Sequence, residues 1–173
     1  MEQSKREKLL TVKKEMEGFM KESVPFWLEN GIDKEYGGYL VCFDSKGKLM
    51  KELAVLTPED KMIVTQTRMI WGFSALLRNG LAKRYGWEEK CKEAAKQGVD
   101  FFIDKFWDKK NTGWAWVTDR KGNVLDNGKL VYGQTFAWLD FGNGTGCSGC
   151  RYRNLCQFFC CRIRKYCTVS TNN

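Results

Sequence analysis

The chain has 173 residues, 43% of them apolar and 14% aromatic, with a formal net charge of +8 and no histidine. This is a globular composition with material for a core; no stretch approaches the roughly 20 apolar residues of a membrane helix, and the opening MEQSKREKLL lacks the apolar segment of a secretory signal, so a cytoplasmic protein without membrane association is expected. Nor is the charge a nucleic-acid footprint, because residues 138–173 hold half of the excess (five basic against one acidic), while residues 1–137 mix 24 basic with 20 acidic side chains and form no basic stripe.

From the N-terminus, Leu9, Val12, Met16, Phe19 and Met20 fall at helical spacing and predict an opening helix with one apolar face. Phe26-Trp27 then precedes EYGGYLVCFDSKGKLM (35–50), where aromatic and β-branched residues alternate with others before an Asp-x-x-Gly turn. The Asp opens the turn and the Gly supplies positive φ, which predicts a short hairpin. Thr57-Pro58-Glu59-Asp60 reads as an N-cap with proline at the first helical position. It leads towards a run that is apolar nearly all round from Met69 to Leu77 and is therefore expected to be enclosed, with Trp71 in the core. Trp87, Cys91, Ala94, Ala95, Val99, Phe102 and Phe106 mark the inner face of a later, one-sided helix. A second hairpin follows in NTGWAWVTDRKGNVLD (111–126), then a further helical segment from Lys129.

These elements repeat. Gly38, Tyr39, Asp44 and Gly47 align with Gly113, Trp114, Asp119 and Gly122 at an offset of 75, and Gln66-Thr67 meets Gln134-Thr135 at an offset of 68. Phe26-Trp27 is matched in this reading with Phe106-Trp107. One-sided and enclosed helices alternating at this period are what a double ring of helices would show, and a closed ring of six pairs would take on the order of 400 residues. The expected fold is therefore mostly α: a partial (α/α)6 barrel of about two helix pairs with short β-hairpins between helices. An ordinary four-helix arrangement decorated by hairpins is the alternative.

FWLENGIDKEYGGYLVCFDSKGK, TQTRMIWGFSALL and GWAWVTDRKGNVLDNGKLVYGQTFA, in that order across residues 8–137, resemble the N-acylglucosamine 2-epimerase family, which also contains cellobiose 2-epimerases and aldose–ketose isomerases. The resemblance implies an (α/α)6 barrel that interconverts reducing sugars at C2, of the N-acylglucosamine/N-acylmannosamine or glucose/mannose type. The proton α to the aldehyde is removed, and one is returned to the opposite face of an enediolate. It implies two histidines as the acid/base pair and an arginine beside the oxygen that becomes negative. The Gln-x-Arg motif places that arginine at Arg68. Tyr39, Trp114 and Trp116, on the hairpins, are candidate platforms for the C–H face of a sugar. Neither a cofactor nor a metal is expected, and the only partner is the small-molecule sugar; oligomeric state stays open, with a homodimer of the full-length protein one alternative. The absent histidines would lie in later repeats, so residues 1–137 are expected to be the N-terminal part of an epimerase domain that is inactive alone.

After Ala137 the pattern changes. Residues 138–173 hold six of the eight cysteines, and Cys147, Cys150, Cys156 and Cys160 admit a zinc module as an alternative. The adjacent Cys160-Cys161 and the missing second Cys-x-x-Cys fit that poorly. Every cysteine codon read one base later gives Ala or Val, and residues 144–165 can then read TGAQDADTEIFASFSAAEYES, which resembles the family's next loop and outer helix. This Cys-rich basic tail is therefore expected to be out of frame and without stable order. A non-catalytic sugar-binding or interaction module is the remaining alternative for the chain as a whole.

Overall fold

The computed structural model describes residues 2–53 and 56–142. Helix α1 (Glu2–Asn30) leads through the first hairpin segment to strand β1 (Lys61–Met62) and helix α2 (Ile63–Arg78). The short α3 (Leu81–Arg84) and the long α4 (Glu88–Phe106) follow, then the second hairpin, β2 (Val117–Thr118) and β3 (Val124–Asp126), and finally α5 (Val131–Gly142). The predicted tail beyond residue 142, with its cysteines, lies outside the described residues.

Helix α4 organises the core. Glu88 and Glu89 lie in its first turn and Lys105 in its last, complementing the helix dipole. Cys91, Ala94, Ala95, Val99, Phe102 and Phe106 are buried along the face expected from the sequence, with Trp87 half-buried at its N-cap. Burial pushes the Cys91 thiol up to about 11, as expected for a structural cysteine. Against this face packs α2, through Ile63, Ile70 and Phe73.

Both hairpins form, and they are built alike. Gly47 and Gly122, at φ 75° and 92°, close the Asp-x-x-Gly turns by donating to the carbonyls of Asp44 and Asp119. Asp33 and Asp108, 75 residues apart, each fold into an Asx turn that accepts two backbone N–H groups on Oδ1. At that offset, Gly31-Ile32 rather than Phe26-Trp27 matches Phe106-Trp107: the bridges are Ile32 with Tyr39 and Trp107 with Trp114. Phe26 and Trp27 instead lie inside α1, packing edge-on against Phe43 of the hairpin.

Three sequence expectations are corrected. Thr57–Asp60 is a turn and not a helix cap, with the Thr57 N–H donating to Asp60 Oδ2. Helix α2 starts only at Ile63, because Lys61 and Met62 pair antiparallel with Thr118 and Val117 in a sheet of order β1-β2-β3. Trp71 is not core: it is 55% exposed, since among the described residues only one side of α2 is covered, by α4 and α5. Helix α1 does present the expected apolar stripe, but Leu9, Val12, Met16 and Phe19 are exposed rather than packed.

Candidate functional site

Gln66 and Gln134 are equivalent residues with equivalent tasks. Gln66 Oε1 accepts from the Tyr39 N–H at 2.9 Å and its Nε2 donates to the Tyr39 carbonyl at 2.8 Å. Gln134 clamps Trp114 in the same way, at 2.9 and 2.8 Å. Each glutamine takes the place of a neighbouring strand for one hairpin residue. Two residues along a helix turn the side chain through about 200°. With Gln66 facing the hairpin, Arg68 therefore emerges on the opposite side.

Arg68 is exposed, and its guanidinium lies 4.7 Å over the ring of Phe136, the residue that occupies its own position in the second repeat. Phe136 in turn meets Tyr132 edge-on at 4.9 Å. Trp71 and Tyr132, 55% and 58% exposed, stand one helical turn from Arg68 and from Phe136 respectively. No carboxylate reaches Arg68 among the described residues. Among the described residues, the face shared by α2 and α5 thus carries a cation with no carboxylate partner beside aromatic rings, the combination that binds an oxyanion and the apolar side of a sugar ring.

The sequence-predicted platforms fare differently. Tyr39 is fully enclosed: its hydroxyl donates to the Ala94 carbonyl at 2.8 Å, and its ring rests on Gly98 of α4, where an added Cβ would lie 2.0 Å from that hydroxyl. Burial raises its phenol above the ordinary range. Trp114 is 7% exposed, stacked on Phe102 at 4.6 Å and edge-on to Trp107 at 4.8 Å. Both are core residues, because α4 covers the hairpin faces that carry them. Trp116 is half-buried and lies against Gly133 of α5, where a Cβ would meet its ring at 2.6 Å. Being only partly covered, it remains a candidate platform. Trp71, expected in the core, and Tyr132 and Phe136 lie instead on the Arg68 face; the helical spacing of Arg68 with Trp71 and of Tyr132 with Phe136 was the available signal.

A second polar group joins the two repeats. Lys61, fully buried, donates to Asp33 Oδ2 at 2.9 Å and to the carbonyls of Gly37 and Arg120 at 2.5 and 2.8 Å. Arg120, on the second hairpin, adds bonds to both oxygens of Asp33 and to Glu59. Burial pushes the Asp33 carboxyl up, but the bonds from Arg120 and Lys61, with the lysine's charge, outweigh it and hold the group below the ordinary aspartate range. Burial also draws the Lys61 ammonium below its ordinary value, with Asp33 opposing. Both values fall, which favours the charged form of Asp33 and disfavours that of Lys61, because the compact ammonium loses more hydration than one carboxylate returns, while Asp33 has two cations to hold it. With all three Lys61 donors satisfied within the fold, this cluster is structural. A cavity of about 430 Å³ between α1 and α4, lined by Leu28, Glu29, Ile32, Trp87, Glu93 and Gln97 among others, contains neither Arg68 nor any sequence-predicted platform. Among the described residues no helix is long and apolar enough to cross a membrane.

The family model for N-acylglucosamine 2-epimerase (GlcNAc 2-epimerase) matches residues 37–165, continuing across the change of composition after Ala137. The cellobiose 2-epimerase of Dictyoglomus turgidum is 36% identical over 115 residues, which cover 65% of this chain and 26% of that protein. The cellobiose 2-epimerase of Bacteroides fragilis is 29% identical over 114 residues, covering 66% and 26%. The structure of cellobiose 2-epimerase from Spirochaeta thermophila superposes with a TM-score of 0.63 at 21% identity, over 92% of this chain and 37% of that one. The two hairpin-linked helix pairs are accordingly part of an (α/α)6 barrel, and the chain spans about a quarter of the length of these curated relatives.

Proposed function

Because the chain belongs to the N-acylglucosamine 2-epimerase family, we propose that it forms part of the sugar site of a 2-epimerase or aldose–ketose isomerase, with Arg68 as its electrostatic residue. The observation that carries this reading is the exposed Arg68 guanidinium, stacked on Phe136 and unopposed by any carboxylate among the described residues. Removal of the proton at C2 of an open-chain aldose makes an enediolate, with charge developing on oxygen. A fixed guanidinium stays protonated throughout and stabilises that charge more than it stabilises the neutral carbonyl. Trp71, Tyr132 and Trp116 would supply apolar faces for the ring carbons.

The acid/base step needs groups that titrate near neutrality on both faces of the enediolate. The 173 residues contain no histidine, and both cysteines among the described residues are shifted up by burial. Imidazoles from outside this stretch have to complete the chemistry, so the chain alone binds reducing sugars weakly and does not turn them over. The test is to titrate N-acetylglucosamine, mannose and cellobiose by NMR while assaying 2-epimerisation in parallel. Binding that is lost in Arg68→Gln supports the reading; turnover by the chain itself, or binding indifferent to Arg68, refutes it.

A further inference from the structure

The two repeats share one frame but not one environment. In the first, Lys61 and Asp33 have fully buried side chains, closed over by the second hairpin: Arg120 reaches Asp33, its carbonyl accepts from Lys61, and Ile63 donates its N–H to Trp116 O at 3.0 Å. In the second, Lys129 and Asp108 form the same pair at 3.2 Å, but their side chains are 29% and 11% exposed. Val131, the counterpart of the fully buried Ile63, is 78% exposed, and Leu130 is 53% exposed. Among the described residues no strand pairs with residues 129–130, the counterpart of β1, or with Val131 beside them. Asn127 and Asn111 donate neutral amides to Asp108 Oδ2, the oxygen corresponding to the one on which Arg120 Nε sits in the first repeat.

From this unmatched half of a repeated contact, we propose that Asp108, Lys129 and the edge formed by residues 129–131 are a docking site for another β-hairpin, one whose turn carries an arginine directly after its opening aspartate. The occupant is the hairpin of a further helix–hairpin–helix unit. Its arginine displaces the Asn127 amide from Asp108, because a guanidinium is the stronger donor to a carboxylate. Lys129 Nζ, which donates to Asp108 Oδ2 and to the carbonyl and Oδ1 of Asn127, gives up the Asn127 side chain as that residue is displaced and donates instead to the backbone carbonyl at the incoming arginine. Its first strand pairs with residues 129–131 and accepts from the Val131 N–H, as Trp116 does from Ile63, thereby covering Leu130 and Val131. The proposal concerns assembly and holds or fails independently of the role given to Arg68.

The test uses the full chain and a backbone-cyclised peptide with the sequence of residues 114–126, the one hairpin on hand that carries the required Asp119-Arg120 pair. Fluorescence anisotropy should show saturable binding, and hydrogen exchange should show new protection of the Val131 amide. Replacing the peptide's arginine by glutamine, or Asp108→Asn in the chain, should weaken binding at least about tenfold. Circular dichroism confirms that the variant chain is folded, and the glutamine peptide tests the same contact on the unaltered chain. The absence of saturable binding, protection elsewhere without Val131, or affinity that ignores either the arginine or Asp108 would overturn the proposal.

Discussion

Replacing Gln66 by leucine removes both bonds of a clamp that is enclosed: Gln66 is 1% exposed and Tyr39 is fully buried. The Tyr39 N–H and carbonyl would then lose their only side-chain partners among the described residues, in a buried setting where the Phe101 ring packs against Gly38. An orphaned buried polar group costs about 1–3 kcal/mol. Two give about 2–6 kcal/mol, from which the apolar gain of leucine subtracts about 1 kcal/mol. Gln134→Leu deletes the same two bonds from a half-buried clamp, where solvent can replace them at a cost of about 1 kcal/mol. Urea denaturation reads the difference: with a slope of about 2 kcal/mol/M, Gln66→Leu should lower the midpoint by about 0.5–2.5 M, centred on about 1.5 M, and Gln134→Leu by about 0.5 M. Equal shifts in the two variants, or a Gln66→Leu shift within error of zero, would refute the reasoning that identical geometry is worth more where water is excluded.

Gly98→Ala should destabilise by about 3 kcal/mol or more, since its Cβ would overlap the Tyr39 ring; thermal melting checks this, and Tyr39→Leu in the same chain should recover part of the loss. Asp33→Asn leaves Lys61 charged and enclosed, and should cost about 3–5 kcal/mol by chemical denaturation. The native carboxyl of Asp33 titrates below its unfolded value of 3.8; its contribution is therefore complete above that pH and is lost as pH falls through the native value. An acid-unfolding series should show this loss, made smaller in Arg120→Met. Arg68→Gln, by contrast, gives up one exposed cation–π contact worth about 0.5–1 kcal/mol, so its melting temperature should stay nearly unchanged while sugar binding falls.

Local chemistry was legible in the sequence, and long-range burial was not. Asp44–Gly47 and Asp119–Gly122 specify turns within four residues, so both hairpins could be placed, and the small and aromatic stripe of α4 fixed its inner face. Gln-x-Arg sets Gln66 and Arg68 on opposite sides of α2, because two residues are about half a helical turn apart, and that separation was readable from the motif. Tyr39 and Trp114 were misplaced because aromatic residues after a glycine look alike whether open or covered; only the missing Cβ of Gly98, in another helix, decides that Tyr39 is enclosed. Thr57-Pro58 carries good capping chemistry, yet pairing of Lys61 with Thr118 took the chain into a strand. Asp33 meets Lys61 and Arg120 across separations of 28 and 87 residues. The repeat itself offered that clue, since Asp33 and Lys61 recur as Asp108 and Lys129 at the offsets already read from the hairpins and the glutamines.

The central claim, that this stretch supplies the arginine of a sugar 2-epimerase site, is tested most directly by grafting residues 8–137 in place of the aligned segment of the Dictyoglomus turgidum cellobiose 2-epimerase. The chimera should epimerise cellobiose, and Arg68→Gln within it should lower kcat about 10²-fold while leaving its circular dichroism unchanged. A folded chimera whose turnover is indifferent to Arg68 would contradict the account.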